Sequence, residues 1–217
     1  MKGRLRLLAL ALAIPLWAGA SGSRGRLDDV LGVESAPGAF IVSVDAGTPA
    51  DLLGLDVCNL IAGFNGQSFR AYGDPGAFVA ALREAAMASG ADLDVWKSSD
   101  AGETWRRTRT LVQIPRQPEA KLGAYVSLQV LIVGLASGGP AEREGVQVGE
   151  FIDRIDGEQV STMKTIADVD RKIRESAARA GRVELTLARW KPVRGSPDFR
   201  TSYTTRKVEI RLQPQRQ

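Results

Sequence analysis

One stretch of this chain is written twice. Residues 31–69 and 122–160 align without a gap, every position offset by 122 − 31 = 91 residues. The identities fall where backbone geometry is demanding: Gly32 on Gly123, Gly47 on Gly138, Pro49-Ala50 on Pro140-Ala141, Gly54 on Gly145, Gly66 on Gly157. Apolar positions coincide too, with Ile41-Val42, Val57 and Ile61 over Ile132-Val133, Val148 and Ile152, as one core built twice requires. A period of 91 is too long for a solenoid repeat and suits a small globular domain, so the sequence predicts two domains of one kind.

Within each copy the local signals give the same order of elements. In the first, 33–35 reads as a short strand, Ala36-Pro37-Gly38 as a turn and 39–44 as a buried strand. Residues 49–53 read as a short helix stopped by Gly54, and 60–64 as a strand entering an Asn65-Gly66 hairpin turn. Asp74-Pro75 is an N-cap followed by a proline at the first helical position, and Phe78, Leu82 and Ala85-Ala86 continue at helical spacing as far as Gly90. The corresponding helix of the second copy starts at Thr165, carries Ile166, Val169 and Ile173, and runs to about Gly181. Closing strands are expected at 93–97, 108–114, 183–190 and 203–212. Cys58-Asn59 stands where the second copy has Gly149-Glu150, so the first copy lacks a glycine at that turn.

These motifs resemble the PDZ domain, in the form found in bacterial HtrA-type serine proteases and C-terminal processing proteases. The resemblance rests on the Leu-Gly-apolar loops Leu31-Gly32-Val33 and Leu122-Gly123-Ala124, and on the short-helix motifs Thr48-Pro49-Ala50 and Gly139-Pro140-Ala141. The run from Gly145 to Ile152 and the turns Asn65-Gly66 and Asp156-Gly157 complete it. It implies an α+β fold of two PDZ-like domains, each a small, partly open antiparallel β-barrel or sandwich capped by a short and a long helix. The expected division is 1–20 signal peptide, 21–27 flexible lead-in, 28–114 first domain, 115–118 linker, 119–213 second domain and 214–217 tail.

The resemblance also implies a function. In PDZ domains the glycine loop presents backbone N–H groups to a terminal carboxylate, and the peptide adds as a strand beside the long helix. Carried over to this chain, Leu31, Gly32 and Val33 would work with Pro75, Val79 and Leu82. Lys121, Leu122, Gly123, Ala124 and Tyr125 would work with Ile166, Asp170 and Ile173. Each helix set follows an i, i+4, i+7 face. No histidine is present to hold a Ser or Thr hydroxyl, so the expected ligand is a protein or peptide C-terminus with an apolar last residue. The competing reading is that the grooves are filled from within.

Other chemistries find little support. Without histidine there is no Ser-His-Asp triad, Cys-His pair or HExxH zinc site, and no cofactor, catalytic residue or metal ligand is expected. The segment from Ser98 to Trp105 fits the S-x-D-x-G-x-T-W Asp-box pattern of sialidase propellers, but occurs once and reads as a hairpin turn covered by Trp105. Asp153, Asp156 and Glu158 read as a solvated edge, and Lys172, Arg174 and Arg179 as solvent-facing charge. Cys58 is the single cysteine, which excludes an internal disulfide and reads as a small buried side chain.

At the start of the chain, Lys2, Arg4 and Arg6, an apolar run over 7–17 and Ala18-Gly19-Ala20 have the layout of a secretory signal peptide. Eleven apolar residues interrupted by Pro15 fall short of the roughly 20 needed to span a bilayer. Its removal would leave 29 − 3 = 26 basic against 25 acidic residues, which takes away the case for nucleic acid. The expectation is an exported, periplasmic or secreted, non-enzymatic adaptor or scaffold without stable membrane insertion. The alternative is a regulatory companion of an envelope protease that inhibits it, activates it or presents substrates to it.

Overall fold

A computed structural model of the protein describes residues 27–98, 104–116, 121–192 and 201–212. The expected signal peptide, nearly all of the lead-in, the Asp-box turn, half of the linker and the tail lie outside the described residues. A short helix α1 (Leu27–Leu31) opens the described chain. The first half continues with β1 (Val33–Val44), α2 (Pro49–Leu52), β2 (Leu60–Phe64), β3 (Gln67–Ser68), a 3-10 turn (Phe69–Tyr72), α3 (Pro75–Ala88), β4 (Ala91–Ser98) and β5 (Trp105–Val112). The second half repeats that order: β6 (Ala124–Leu135), α4 (Pro140–Arg143), β7 (Phe151–Ile155), β8 (Glu158–Gln159), a 3-10 turn (Val160–Thr162), α5 (Ile166–Ala180), β9 (Arg182–Pro192) and β10 (Thr201–Arg211).

Local chemistry accounts for most element ends. Asp74 caps α3 by accepting a hydrogen bond from the Ala77 N–H at 2.8 Å. Thr165 caps α5 in a capping box with Asp168, whose carboxyl is held below its ordinary range first by the hydrogen bond from the Thr165 hydroxyl. Asn65-Gly66 and Asp156-Gly157 all take positive φ, as a type I′ hairpin turn requires. Cys58 takes φ 71 where Gly149 takes φ 89, so the first copy keeps the left-handed turn despite its missing glycine.

The expected turn at 36–38 does not form. Residues 33–44 run straight through as β1, so the two strands expected there are one. Pro37 is tolerated because β2 begins pairing only at Ala39, leaving no ladder partner on that edge for the N–H that proline lacks. Instead of folding back on itself, β1 pairs along its length with β6, from Val33↔Leu135 to Val44↔Ala124. The result is one antiparallel sheet in the order β10-β9-β7-β6-β1-β2-β4-β5. It reads alike outward from its centre: β1, β2, β4, β5 one way and β6, β7, β9, β10 the other.

The register supplies the symmetry axis. Gly38 pairs with Gln129, and 129 − 38 = 91 is the repeat offset itself, so this pair maps onto itself when the halves are exchanged. A Cβ on Gly38 would lie 2.5 Å from the Ile61 carbonyl oxygen, so only glycine fits where β1 passes β2. Gln129 is buried, and its Oε1 has no hydrogen-bond partner among the described residues.

Residues 36–41 are buried on both faces, as befits a central strand. Ala39 and Ile41, with Leu128, Val130 and Ile132, enter the main core, which takes residues from both halves. Ala36, Phe40 and Leu131 enter a smaller aromatic cluster. There Phe40 meets Phe151 edge-on at 5.1 Å, and Trp105, expected to cover its own hairpin, meets Phe151 at 5.3 Å. The expected solvated acids are also partnered: Asp153 is buried, Asp156 pairs with Arg179 at 2.9 Å, and Glu158 with Lys172 at 2.7 Å. Glu150, almost fully buried, is held by a two-pronged contact from Arg206 at 2.7 Å.

Two measurements check this packing. Gly38→Ala should lower the unfolding free energy by about 1–3 kcal/mol in urea titration, because the added methyl meets a backbone carbonyl that a neighbouring rotamer cannot clear. Burial pushes the Cys58 thiol up to about 12, so a thiol reagent at pH 8 should label the protein only after denaturation.

Candidate functional site

Because β1 and β6 do not fold back, each glycine loop is delivered to the long helix of the other half. Sequence reasoning placed Leu31, Gly32 and Val33 with Pro75, Val79 and Leu82; the structure places Val79 and Leu82 beside Lys121, Leu122, Gly123, Ala124 and Tyr125. Together with Asp45 and Arg83 these line a groove of about 280 Å³. Pro75 is not among the lining residues; it sits at the first position of α3, about two turns before Leu82.

The groove is half strand and half helix. On one side, residues 124–128 of β6 pair with 39–44 of β1; β6 and β7 share their register pair only at Leu131↔Phe151. Among the described residues, the other edge of 124–128 therefore carries no paired strand and lies towards α3. Val79 and Leu82 supply the apolar wall, Tyr125 an exposed aromatic rim, and Lys121, Arg83 and Asp45 the charges. An extended segment laid there would find backbone donors and acceptors on one side and side-chain pockets on the other.

The loop is clamped to the opposite half. The Leu122 carbonyl accepts from the Ala50 N–H at 2.9 Å, and the Gly123 carbonyl from the Asp45 N–H at 2.8 Å. Gly123 has φ 81, and a Cβ built on it would run into the Thr48 side chain. Glycine is required twice over, for its dihedral and for its lack of a side chain.

The second groove, between residues 31–33 and α5, is filled. Leu27 and Leu31 of α1 are fully buried in the same core as Ile166 and Ile173, which are buried as well, and α1 packs on α5. The Leu27 N–H donates to Asp170 Oδ1 at 3.1 Å, and Arg70 pairs with Asp170 Oδ2 at 3.0 Å. Arg70 also reaches Ser35 Oγ at 3.3 Å and Asp28 at 3.9 Å, while the Ser35 hydroxyl donates to Asp28 at 2.5 Å. Burial is the largest influence on the Asp28 carboxyl and raises it, against the Ser35 hydrogen bond and the Arg70 charge. Burying two leucines contributes about 1.5–3 kcal/mol each, whereas ordering five residues costs about 1–2 kcal/mol each. The polar contacts to Asp170 and Asp28 therefore decide whether α1 stays.

Sequence reasoning missed α1 and Arg70. It took 21–27 as a flexible lead-in, although the spacing of Leu27 and Leu31 by four, with Asp28-Asp29 in the first turn, is a helical signal. Nothing in the local sequence around Arg70 points to an acid 100 residues away.

Residues 131–189 match the model of the PDZ domain. No curated protein matches the chain. The PDZ match begins in the middle of β6 and ends in β9, so it takes in α5 and the strands that stay with it. It leaves out residues 121–125, which line the groove against α3, while residues 131–135 within the match still pair with β1.

Replacing Gly123 by Ala tests the clamp. The substitution should cost about 1–3 kcal/mol of stability through backbone strain and contact with Thr48. It should also shift the Asp45 and Ala50 amide resonances, whose acceptors are the carbonyls of the displaced loop.

Proposed function

We propose that this protein is an exported, non-enzymatic tandem of PDZ-like units of the HtrA-like kind that captures C-terminal or extended segments of other proteins by β-strand addition. The capture site is the composite groove between α3 and residues 121–128. The observation that carries this reading is the strand edge of 124–128, unpaired among the described residues, facing the apolar side chains Val79 and Leu82. The PDZ match supports a binding role for peptides or protein C-termini, and the sequence at 1–20 supports export.

Ligand chemistry follows from the walls. Val79, Leu82, Leu122 and Ala124 favour a Val, Leu, Ile or Ala side chain, and Lys121 with Arg83 favours a terminal carboxylate. The protein acts as an adaptor in this reading, joining its ligand to whatever its outer surfaces contact.

Affinity for peptide pairs with free and amidated C-termini tests the assignment on the full chain. Free-acid peptides ending in an apolar residue should bind saturably, and amidation should weaken them by about tenfold or more, since it removes only the terminal charge. Val79→Glu should abolish the binding while leaving the fold intact by circular dichroism. Equal binding of the two forms, or binding unaffected by Val79→Glu, would refute it.

A further inference from the structure

The two grooves of this molecule are a comparison the chain makes with itself. Each has a long helix and a positive-φ glycine loop, yet one is open and the other closed. Among the described residues, they differ at α1. In the open groove Lys121-Leu122 precede the glycine without helix, Leu122 is half-buried, and Val79 stands on the helix wall. In the closed groove α1 precedes the glycine, Leu27 and Leu31 are wholly buried, and Asp170 stands at the position of Val79, since 170 − 79 = 91.

We propose that the groove of α5 is a second binding site, occupied in cis by α1 as a displaceable internal ligand. The site takes a short helical turn carrying two leucines four residues apart, with its first free N–H on Asp170. Arg70 is the latch. It reaches Asp170 on the groove helix, Asp28 on the plug and Ser35 on the strand between them, so its removal loosens the plug without touching its leucines.

The argument for displacement rests on how α1 is held. It is five residues long, and apart from the Gly32 N–H to the Asp28 carbonyl at 2.9 Å its polar contacts beyond the helix, among the described residues, are to side chains. The neighbouring strand β1 is held by the central ladder. Local opening of α1 therefore breaks no ladder bond, whereas opening of β1 breaks the sheet.

Hydrogen exchange and a plug peptide test this without reference to the other groove. In the intact chain, the Gly32 amide, bonded to Asp28, should exchange about a hundredfold faster than the paired amides of β6, and Arg70→Ala should speed it further by about tenfold. A labelled peptide of residues 26–33, followed by fluorescence anisotropy, should fail to bind the native chain and bind saturably to Leu27→Asp, in which a carboxylate expels the plug. Exchange of Gly32 at the rate of β6 would overturn the proposal, as would a folded Leu27→Asp that ignores the peptide. A Leu27→Asp chain that does not fold, with Arg70→Ala unchanged in exchange, would assign α1 to the core and overturn it equally. None of these readouts involves the groove of α3, so a failure there leaves them informative.

Discussion

The ladder between β1 and β6 is the contact on which the rest of the molecule depends. It is the centre of the sheet, it joins the halves, and it decides which loop meets which helix. Strand pairing is cooperative along its length because side chains alternate between faces, so one register buries Ala39 and Ile41 in the main core and Phe40 in the aromatic cluster together. A slip by one residue would exchange those faces. The pair Gly38↔Gln129 lies on the axis of the observed register, and the Ile61 carbonyl packed against Gly38 admits no side chain there.

From that ladder the two sites follow by geometry. Strands that run straight instead of turning carry their preceding loops across the axis, so Leu122-Gly123 lands on the α2 end of the first half, and Gly32 on the corresponding end of the second. The Ala136 N–H to Gly32 carbonyl bond at 2.9 Å mirrors the Asp45 N–H to Gly123 carbonyl bond at 2.8 Å. Each groove is thereby composite, with its strand wall from one half and its helix wall from the other. The PDZ match, starting at residue 131, leaves out the glycine loop and the first residues of β6 that line the open groove.

The symmetry breaks where the side chains differ. Val79 leaves the first groove apolar, while Asp170 gives the second an acid that the Leu27 N–H and Arg70 satisfy. An unpaired carboxylate beside Ile166 and Ile173 would be costly, and α1 with Arg70 supplies the partners. The aromatic cluster breaks symmetry too: Phe40 and Leu131 occupy equivalent positions, and Phe151 has Leu60 as its counterpart, so the larger side chain of each pair falls on a different half and the two interleave.

Much of the local structure was legible from residues close in sequence. The repeat, the helices after Asp74 and Thr165, the 60–64 strand and the Asn65-Gly66 turn each rest on short-range rules of capping, spacing and positive φ. The groove residues were legible as types and illegible as partners. Val79, Leu82 and Lys121 to Tyr125 all stand out in the sequence, but the PDZ resemblance joins each loop to the helix of its own half, and Ala36-Pro37-Gly38, which reads locally as a turn, gives no sign of the crossing. Whether such a tripeptide bends or runs on depends on what lies alongside it, and that was β6, some 90 residues away. The sequence by itself determined a repeated α+β architecture, the glycines its loops need and the helices that flank its grooves. Only the tertiary structure decided that the strands cross between the halves, that one groove stays open and that α1 fills the other. Pairing across a sheet is a long-range choice, in which the burial gained by the whole ladder outweighs the preference of any three residues within it.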